Sequence, residues 1–256
     1  MNKIDRQSFL SEGMQGDILT LTLGGGIAHA LSAQAIAELH DAVRRAGADD
    51  AVGAVIIHGP GRIFCAGHDL KEIARHRSDT DQGRAYLDDL FAACGAMMQD
   101  LTMLPKTTIA MVEGLATAAG LQLVAACDMA LAAPGAKFCL PGVRNAGFCT
   151  TPAVAVGRAI GQRKVTEMAL TGADFDADWA LQAGLINRIV PAENLAGETR
   201  ALATHAAGHF QPALGLGKQT LHRQLDLPLD EAYALATEVM VQHFMDPERI
   251  RREQQA

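Results

Sequence analysis

Short apolar runs alternate with stretches of helical periodicity through the first 190 residues, and that order restricts the fold more than any single residue does. Residues 17–23, DILTLTL, alternate in polarity and end at Gly24-Gly25-Gly26, the pattern of a strand running into a turn. Leu31, Ala35, Ile36, Leu39, Ala42 and Val43 then recur at helical spacing, with Ser32 placed to cap the helix. Further strands are predicted at 52–58, 107–112, 128–133, 136–139 and 186–190. Helices are predicted at about 81–103, which Pro105 ends, and at 117–126, 150–161, 163–170 and 176–184. After Pro191 the pattern is helical throughout, at 192–207, 213–224 and 229–245. Alternating strands and helices predict an α/β core over residues 1–195, with 196–256 as a helical layer of the same structural unit. No internal repeat or low-complexity linker divides the chain.

Composition excludes several classes of function. The 256 residues carry a net charge of −7, and no basic stripe of the kind a nucleic acid requires is visible. The densest basic run, Arg249, Arg251 and Arg252, reads as a solvated tail. No apolar run reaches the roughly 18 residues that span a bilayer, and MNKIDRQSFLSEG lacks the apolar core of a signal peptide. Neither nucleic acid nor membrane is therefore an expected partner. Cys65, Cys94, Cys127, Cys139 and Cys149 are odd in number and form no CxxC pair, which points to reduced thiols and a cytoplasmic location.

Two segments have the form strand, small residues, helix start. In Phe64-Cys65-Ala66-Gly67-His68-Asp69-Leu70-Lys71-Glu72, small side chains at 66 and 67 let a ligand approach the backbone. Gly114-Leu115-Ala116-Thr117-Ala118-Ala119-Gly120-Leu121-Gln122 repeats the arrangement. Unpaired N–H groups at a helix start suit a developing oxyanion. Taken locally, each segment is equally a tight turn or a buried Ala-rich helix with no ligand, and neither carries a dinucleotide or P-loop signature.

The whole set of segments is nevertheless distinctive. FCAGHDLKE at 64–72, IAMVEGLATAAGLQLVAACDMALAA at 109–133, AKFCLPGV at 136–143 and ALTGADFDADWALQAGLINRIVP at 169–191 resemble, in order and spacing, the crotonase superfamily, also called the enoyl-CoA hydratase/isomerase family. The likeness covers about residues 16–245 and is strongest to the divergent "enoyl-CoA hydratase domain-containing" branch and its bacterial relatives. That branch also carries PGV and FCxTP segments, here Pro141-Gly142-Val143 and Phe148-Cys149-Thr150-Thr151-Pro152.

The resemblance implies a ClpP/crotonase-like spiral of ββα units stacking two nearly perpendicular sheets. It also implies a C-terminal helical layer that makes a homo-trimer or hexamer. The implied ligand is an acyl-CoA thioester, with coenzyme A as part of the substrate, no separate cofactor and no metal. By the same resemblance the backbone N–H groups of His68 and Ala119 form an oxyanion hole. Ala66, Gly67, Asp69, Leu70, Gly114, Ala118 and Gly120 line the substrate, and Arg144 and Asn145 reach its acyl part. The triplet Ala118-Ala119-Gly120 is glycine-rich in the family; alanine keeps the N–H but tightens the approach. A helix beginning near Thr117 would aim its dipole at the oxygen.

Two departures bear on activity. Family hydratases carry one Glu where this chain has Gln122 and a second, after a Pro, where it has Gly142. Hydrating an enoyl thioester needs one group to deprotonate water and another to deliver a proton, and neither Gln nor Gly exchanges a proton near neutral pH. The resemblance therefore implies a family enzyme whose chemistry depends mainly on enolate stabilisation: thioester hydrolysis, isomerisation or decarboxylation. An acyl-CoA-binding protein without catalysis and an ordinary enoyl-CoA hydratase of fatty-acid metabolism are the alternatives.

Other residues have two readings each. The His68 ring could titrate near pH 7 or simply pack, and Cys149 could be a nucleophile or a small buried thiol. Asp69 is placed to cap the helix that follows it. His205 and His209 stand four apart on a helix and could share a metal, but no third ligand is near. Gly24-Gly25-Gly26 is a turn and not a phosphate cradle.

Overall fold

The computed structural model describes residues 8–255. Strand β1 (Leu10–Gln15) folds back antiparallel on β2 (Ile18–Leu23) around Gly16, whose φ of +62° closes the hairpin. Sequence periodicity missed β1 because LSEGMQ is exposed on both faces and so carries no alternation. Helix α1 (Ala33–Ala48) follows, with the Ser32 hydroxyl accepting the Ala35 N–H at 3.0 Å as expected.

The next part of the chain winds as a spiral. β3 (Ala54–Gly59) is followed by β4 (Ile63–Cys65), α2 (Leu70–Arg75) and α3 (Arg84–Thr102). The second turn runs through β5 (Thr107–Val112), β6 (Leu115–Thr117) and α4 (Ala119–Ala126). The third runs through β7 (Met129–Ala132), β8 (Lys137–Cys139), a 3-10 turn at Pro141–Asn145 and α5 (Thr150–Ala159). Each turn gives its first strand to a six-stranded sheet, ordered β1-β2-β3-β5-β7-β10, and its second to a four-stranded sheet, ordered β4-β6-β8-β9. The strands that complete the sheets are β9 (Phe175–Asp176), after α6 (Gln162–Thr171), and β10 (Arg188–Ile189), after α7 (Ala177–Ala183). This is the ββα spiral that the sequence implies.

Two corrections concern the small sheet. The stretch around residues 63–65 is strand β4, not irregular chain, and α4 begins at Ala119 because Thr117 is paired with Cys139 in β6 and β8. Three-residue strands are too short to show a period.

Both faces of the large sheet are covered. Leu21, Val55 and Ile57 meet Leu39, Val43, Met97 and Leu101 of α1 and α3 in one buried cluster. Ile18, Ala54, Ile56 and Ile109 point the other way, onto Leu195 and Ala203 of α8 (Ala192–Ala207). Burial on both faces is why these parallel strands read as nearly continuous apolar runs. The expected division at residue 195 falls within α8, which serves as the second cover of this sheet.

Helices α9 (Gln211–Gln224), α10 (Leu229–Phe244) and α11 (Pro247–Glu253) complete the chain. The arginines expected in a solvated tail lie in α11. Arg251 and Arg252 pair with Glu248, and the Arg249 guanidinium sits 3.7 Å over the Phe244 ring. Alternating charge at helical spacing is what organises that segment. Among the described residues no helix is long and apolar enough to cross a membrane.

Candidate functional site

The loop from Ala66 to Asp69 leaves the end of β4 and is held on one side by residues 28–31. Ala66 N–H donates to Ala28 O (2.9 Å), Leu31 N–H to Gly67 O (2.8 Å) and Asp69 N–H to Leu31 O (3.1 Å), while the Cys65 thiol donates to His29 O (3.1 Å). The His68 N–H lies between these bonds, and among the described residues it donates to no other group of the chain. Gly67 has a φ of +83°, and a Cβ there would come within 3.0 Å of the Ala119 nitrogen. Only glycine lets the two segments meet so closely.

The Ala119 N–H belongs to the first residue of α4. The first hydrogen bond entering that helix runs from Gln122 N–H to Ala118 O at 3.0 Å, so the N–H of Ala119 has no intrahelical acceptor. Ala118 is anchored by its own N–H on Cys139 O (3.1 Å) and turns the chain with φ +51° and ψ −122°, a region normally left to glycine. A Cβ on Gly120 would collide with the Cys65 carbonyl, so α4 is seated directly against β4. Two N–H groups without an acceptor thus lie on adjoining segments, that of Ala119 at the positive end of a buried helix and that of His68 next to Gly67, which packs against it.

The side chains around these donors have distinct environments. Both ring nitrogens of His68 are buried and unpartnered, and the ring meets Phe91 of α3 edge-on with centroids 5.1 Å apart. Burial holds this imidazole below its ordinary pKa. Gln122 is 4% exposed, and its Oε1 likewise has no partner. Asp69 caps α2 as expected, accepting from Lys71 N–H (2.8 Å) and Glu72 N–H (3.2 Å), and Glu72 accepts from Ala33 N–H at 3.0 Å. Burial raises the Tyr86 hydroxyl to about 12, and its ring stacks on His76 at 3.8 Å.

Position 142, where the resemblance leads one to expect a second Glu, is closed to a side chain. A Cβ on Gly142 would lie 2.6 Å from the Cys149 nitrogen and 2.7 Å from the Phe148 carbonyl carbon. The Gly142 N–H donates to the Cys149 sulfur at 3.3 Å, and burial raises that thiol, which disfavours a thiolate nucleophile.

The remaining expected residues have other settings. Arg144 donates to Asp174 at 2.9 Å, and Asn145 is exposed beside it. Leu70 is exposed at the start of α2. Gly114 packs directly against the Arg62 carbonyl where two turns of the spiral cross. The rings of His205 and His209 meet edge to face at 5.1 Å. Sequence reasoning missed residues 28–31, Tyr86 and Phe91 as neighbours of the site. Nothing in their types marks them, since sheet pairing and helix packing alone bring them there.

Comparison with known proteins places the chain in a family. The chain matches the enoyl-CoA hydratase/isomerase family profile over residues 14–255. It belongs to that family. The enoyl-CoA hydratase domain-containing protein 3, mitochondrial, of Xenopus laevis is 39% identical over 84% of this chain and 71% of its own length. The crystal structure of the human domain-containing protein 3 is 34% identical, with a TM-score of 0.87 over 94% of each chain. A family protein from Silicibacter pomeroyi, also solved as a crystal structure, is 63% identical, with a TM-score of 0.88 over 93% of this chain and 99% of that one. This family member therefore has the crotonase fold and stands with the domain-containing branch.

Proposed function

We propose that this protein binds acyl-CoA thioesters and polarises their carbonyl between the N–H groups of His68 and Ala119, without acting as an efficient hydratase. The observation that carries this reading is the pairing of two unoccupied backbone donors with a filled second-Glu position at Gly142. Donors fixed in a water-poor site stabilise charge as it develops on oxygen and need no rearrangement during reaction. Hydration additionally requires two proton-exchanging groups, whose loss costs about 10²–10⁴-fold each. Gln122 cannot supply one, and at Gly142 the backbone of Phe148 and Cys149 occupies the space. Reactions that proceed from an enolate, or by attack on the thioester itself, are compatible with what remains: isomerisation, decarboxylation or hydrolysis.

Two further parts of the reading follow from the family. The exposed apolar side chains of α9 and α10, among them Leu221, Leu225, Tyr233 and Met240, suit assembly as a trimer or a dimer of trimers. Five unpaired cysteines suit a reducing compartment such as the cytoplasm.

The test measures two quantities on one preparation. Calorimetry with butyryl-CoA should give saturable binding. The absorbance of crotonyl-CoA should decay at least about 100-fold more slowly than with a family hydratase that has both Glu. Rapid hydration would refute the claim about the missing acids, and absence of binding would refute the thioester site.

A further inference from the structure

The titratable groups around the hole can be sorted by whether another group already occupies them. The Asp69 carboxylate takes two N–H groups of α2, and the Glu72 carboxylate takes the N–H of Ala33. Tyr86 is raised to about 12, and the Cys149 thiol is raised and receives the Gly142 N–H. Two titratable groups are left over: the Tyr86 hydroxyl, which burial keeps protonated, and the His68 imidazole, whose two buried ring nitrogens make no hydrogen bond of ordinary geometry among the described residues and whose ring meets Phe91 edge-on. Of the two, only the imidazole can accept a proton near neutral pH.

Buried polar groups in native proteins are nearly always hydrogen-bonded, so a ring left without such bonds calls for a functional explanation. The ring belongs to the same residue as one of the two free backbone donors, so an atom held by that donor would be a near neighbour of this residue. Gln122, in the first turn of α4, adds a further orphan in its buried Oε1.

We propose that the His68 imidazole is the proton acceptor of this site, removing a hydrogen from the carbon next to the thioester carbonyl. The proposal rests on the reading that the hole takes a thioester. In this step the α C–H bond breaks and the proton passes to an unpaired ring nitrogen. The electron pair moves into the carbonyl as an enolate, whose oxygen is held by the N–H groups of His68 and Ala119. Return of the proton from the imidazolium restores the acid, so the step is balanced without an oxidant or co-reactant. Burial without a neighbouring carboxylate keeps the ring neutral near pH 7, the form that can accept. One residue would then provide both the oxyanion donor and the base, which explains how two family carboxylates can be absent from a site that keeps its hole.

The experiment follows deuterium uptake into butyryl-CoA in D2O by mass spectrometry, with calorimetric binding of the same compound measured in parallel. The wild-type chain is expected to exchange an α-hydrogen, at a rate that rises with pH through the titration of one group. His68→Gln keeps a neutral polar side chain but no base; it is expected to bind butyryl-CoA within about threefold and to exchange about 100-fold more slowly or less. His68→Ala leaves a cavity, and added imidazole should restore its exchange. Binding without exchange in the wild type, or exchange unchanged in His68→Gln, overturns the proposal while the thioester site stands. Loss of butyryl-CoA binding by the wild type overturns both.

Discussion

Ala118 shows how strictly the main chain is positioned in this site. An alanine at φ +51° and ψ −122° carries about 1–3 kcal/mol of strain, which a glycine would relieve at an entropic cost to folding of about 0.4–1 kcal/mol. Ala118→Gly is therefore expected to raise the stability by about 1 kcal/mol, read as a higher urea midpoint at unchanged slope. His68 gives a second residue-scale outcome. Its folded pKa lies below the roughly 6.5 of an unfolded imidazole, so as pH falls the unfolded chain takes up the proton first. The contribution to stability is complete above about 6.5 and is lost as pH drops toward the folded value. Thermal melts between pH 7 and 5.5 should therefore fall more steeply for the wild type than for His68→Gln. Equal slopes would mean that the ring is not desolvated in solution.

At the scale of elements, one ion pair fastens the C-terminal helices to the spiral. Lys218 of α9 reaches Asp128, just before β7, at 2.8 Å and also donates to Lys106 O at 3.0 Å, with its side chain only 8% exposed. Asp128 simultaneously accepts from the N–H (2.7 Å) and hydroxyl (2.9 Å) of Thr108. Removing one member leaves the other charge buried, at a cost of about 3–5 kcal/mol for a fully buried pair. Since Asp128 is partly exposed, Lys218→Met is expected to lose about 2–3 kcal/mol in chemical denaturation. None of this is visible in the sequence, because Lys218 and Asp128 are 90 residues apart. What the sequence does disclose is set by local periodicity. The long helices and β5 were read almost to the residue, whereas β1, β4, β6 and α11 were not. Three-residue strands lack a period, and an exposed hairpin strand lacks a buried face. The close approach of the β4 and α4 segments was legible as motifs because small residues mark it. The crowding at Gly142 was not legible, because the absence of a side chain does not say what fills its place.

For the whole molecule, the surface poses the main question. Leu229 and Tyr233 are 75% and 67% exposed, and Leu225 and Met245 65% each, an apolar set concentrated in the C-terminal helices. Sets of this kind mark association surfaces. Light scattering is expected to give a mass that is three or six times the 27.0 kDa of one chain. Tyr233→Glu together with Leu229→Glu should shift it toward the monomer, and a wild-type monomer would refute the assembly. The two central donors, meanwhile, are main-chain atoms. Any of nineteen residues at position 119 would still present an N–H, so the donor itself is indifferent to side-chain identity, whereas its placement depends on Gly67 and Gly120. The two named positions, 122 and 142, differ in what they ask of the chain around them: Gln122 has the shape of a Glu and differs only in charge, whereas a side chain at 142 would require the backbone of Phe148 and Cys149 to move. Restoring an acid at 122 is thus a one-residue change, and restoring one at 142 is a rebuilding of the loop.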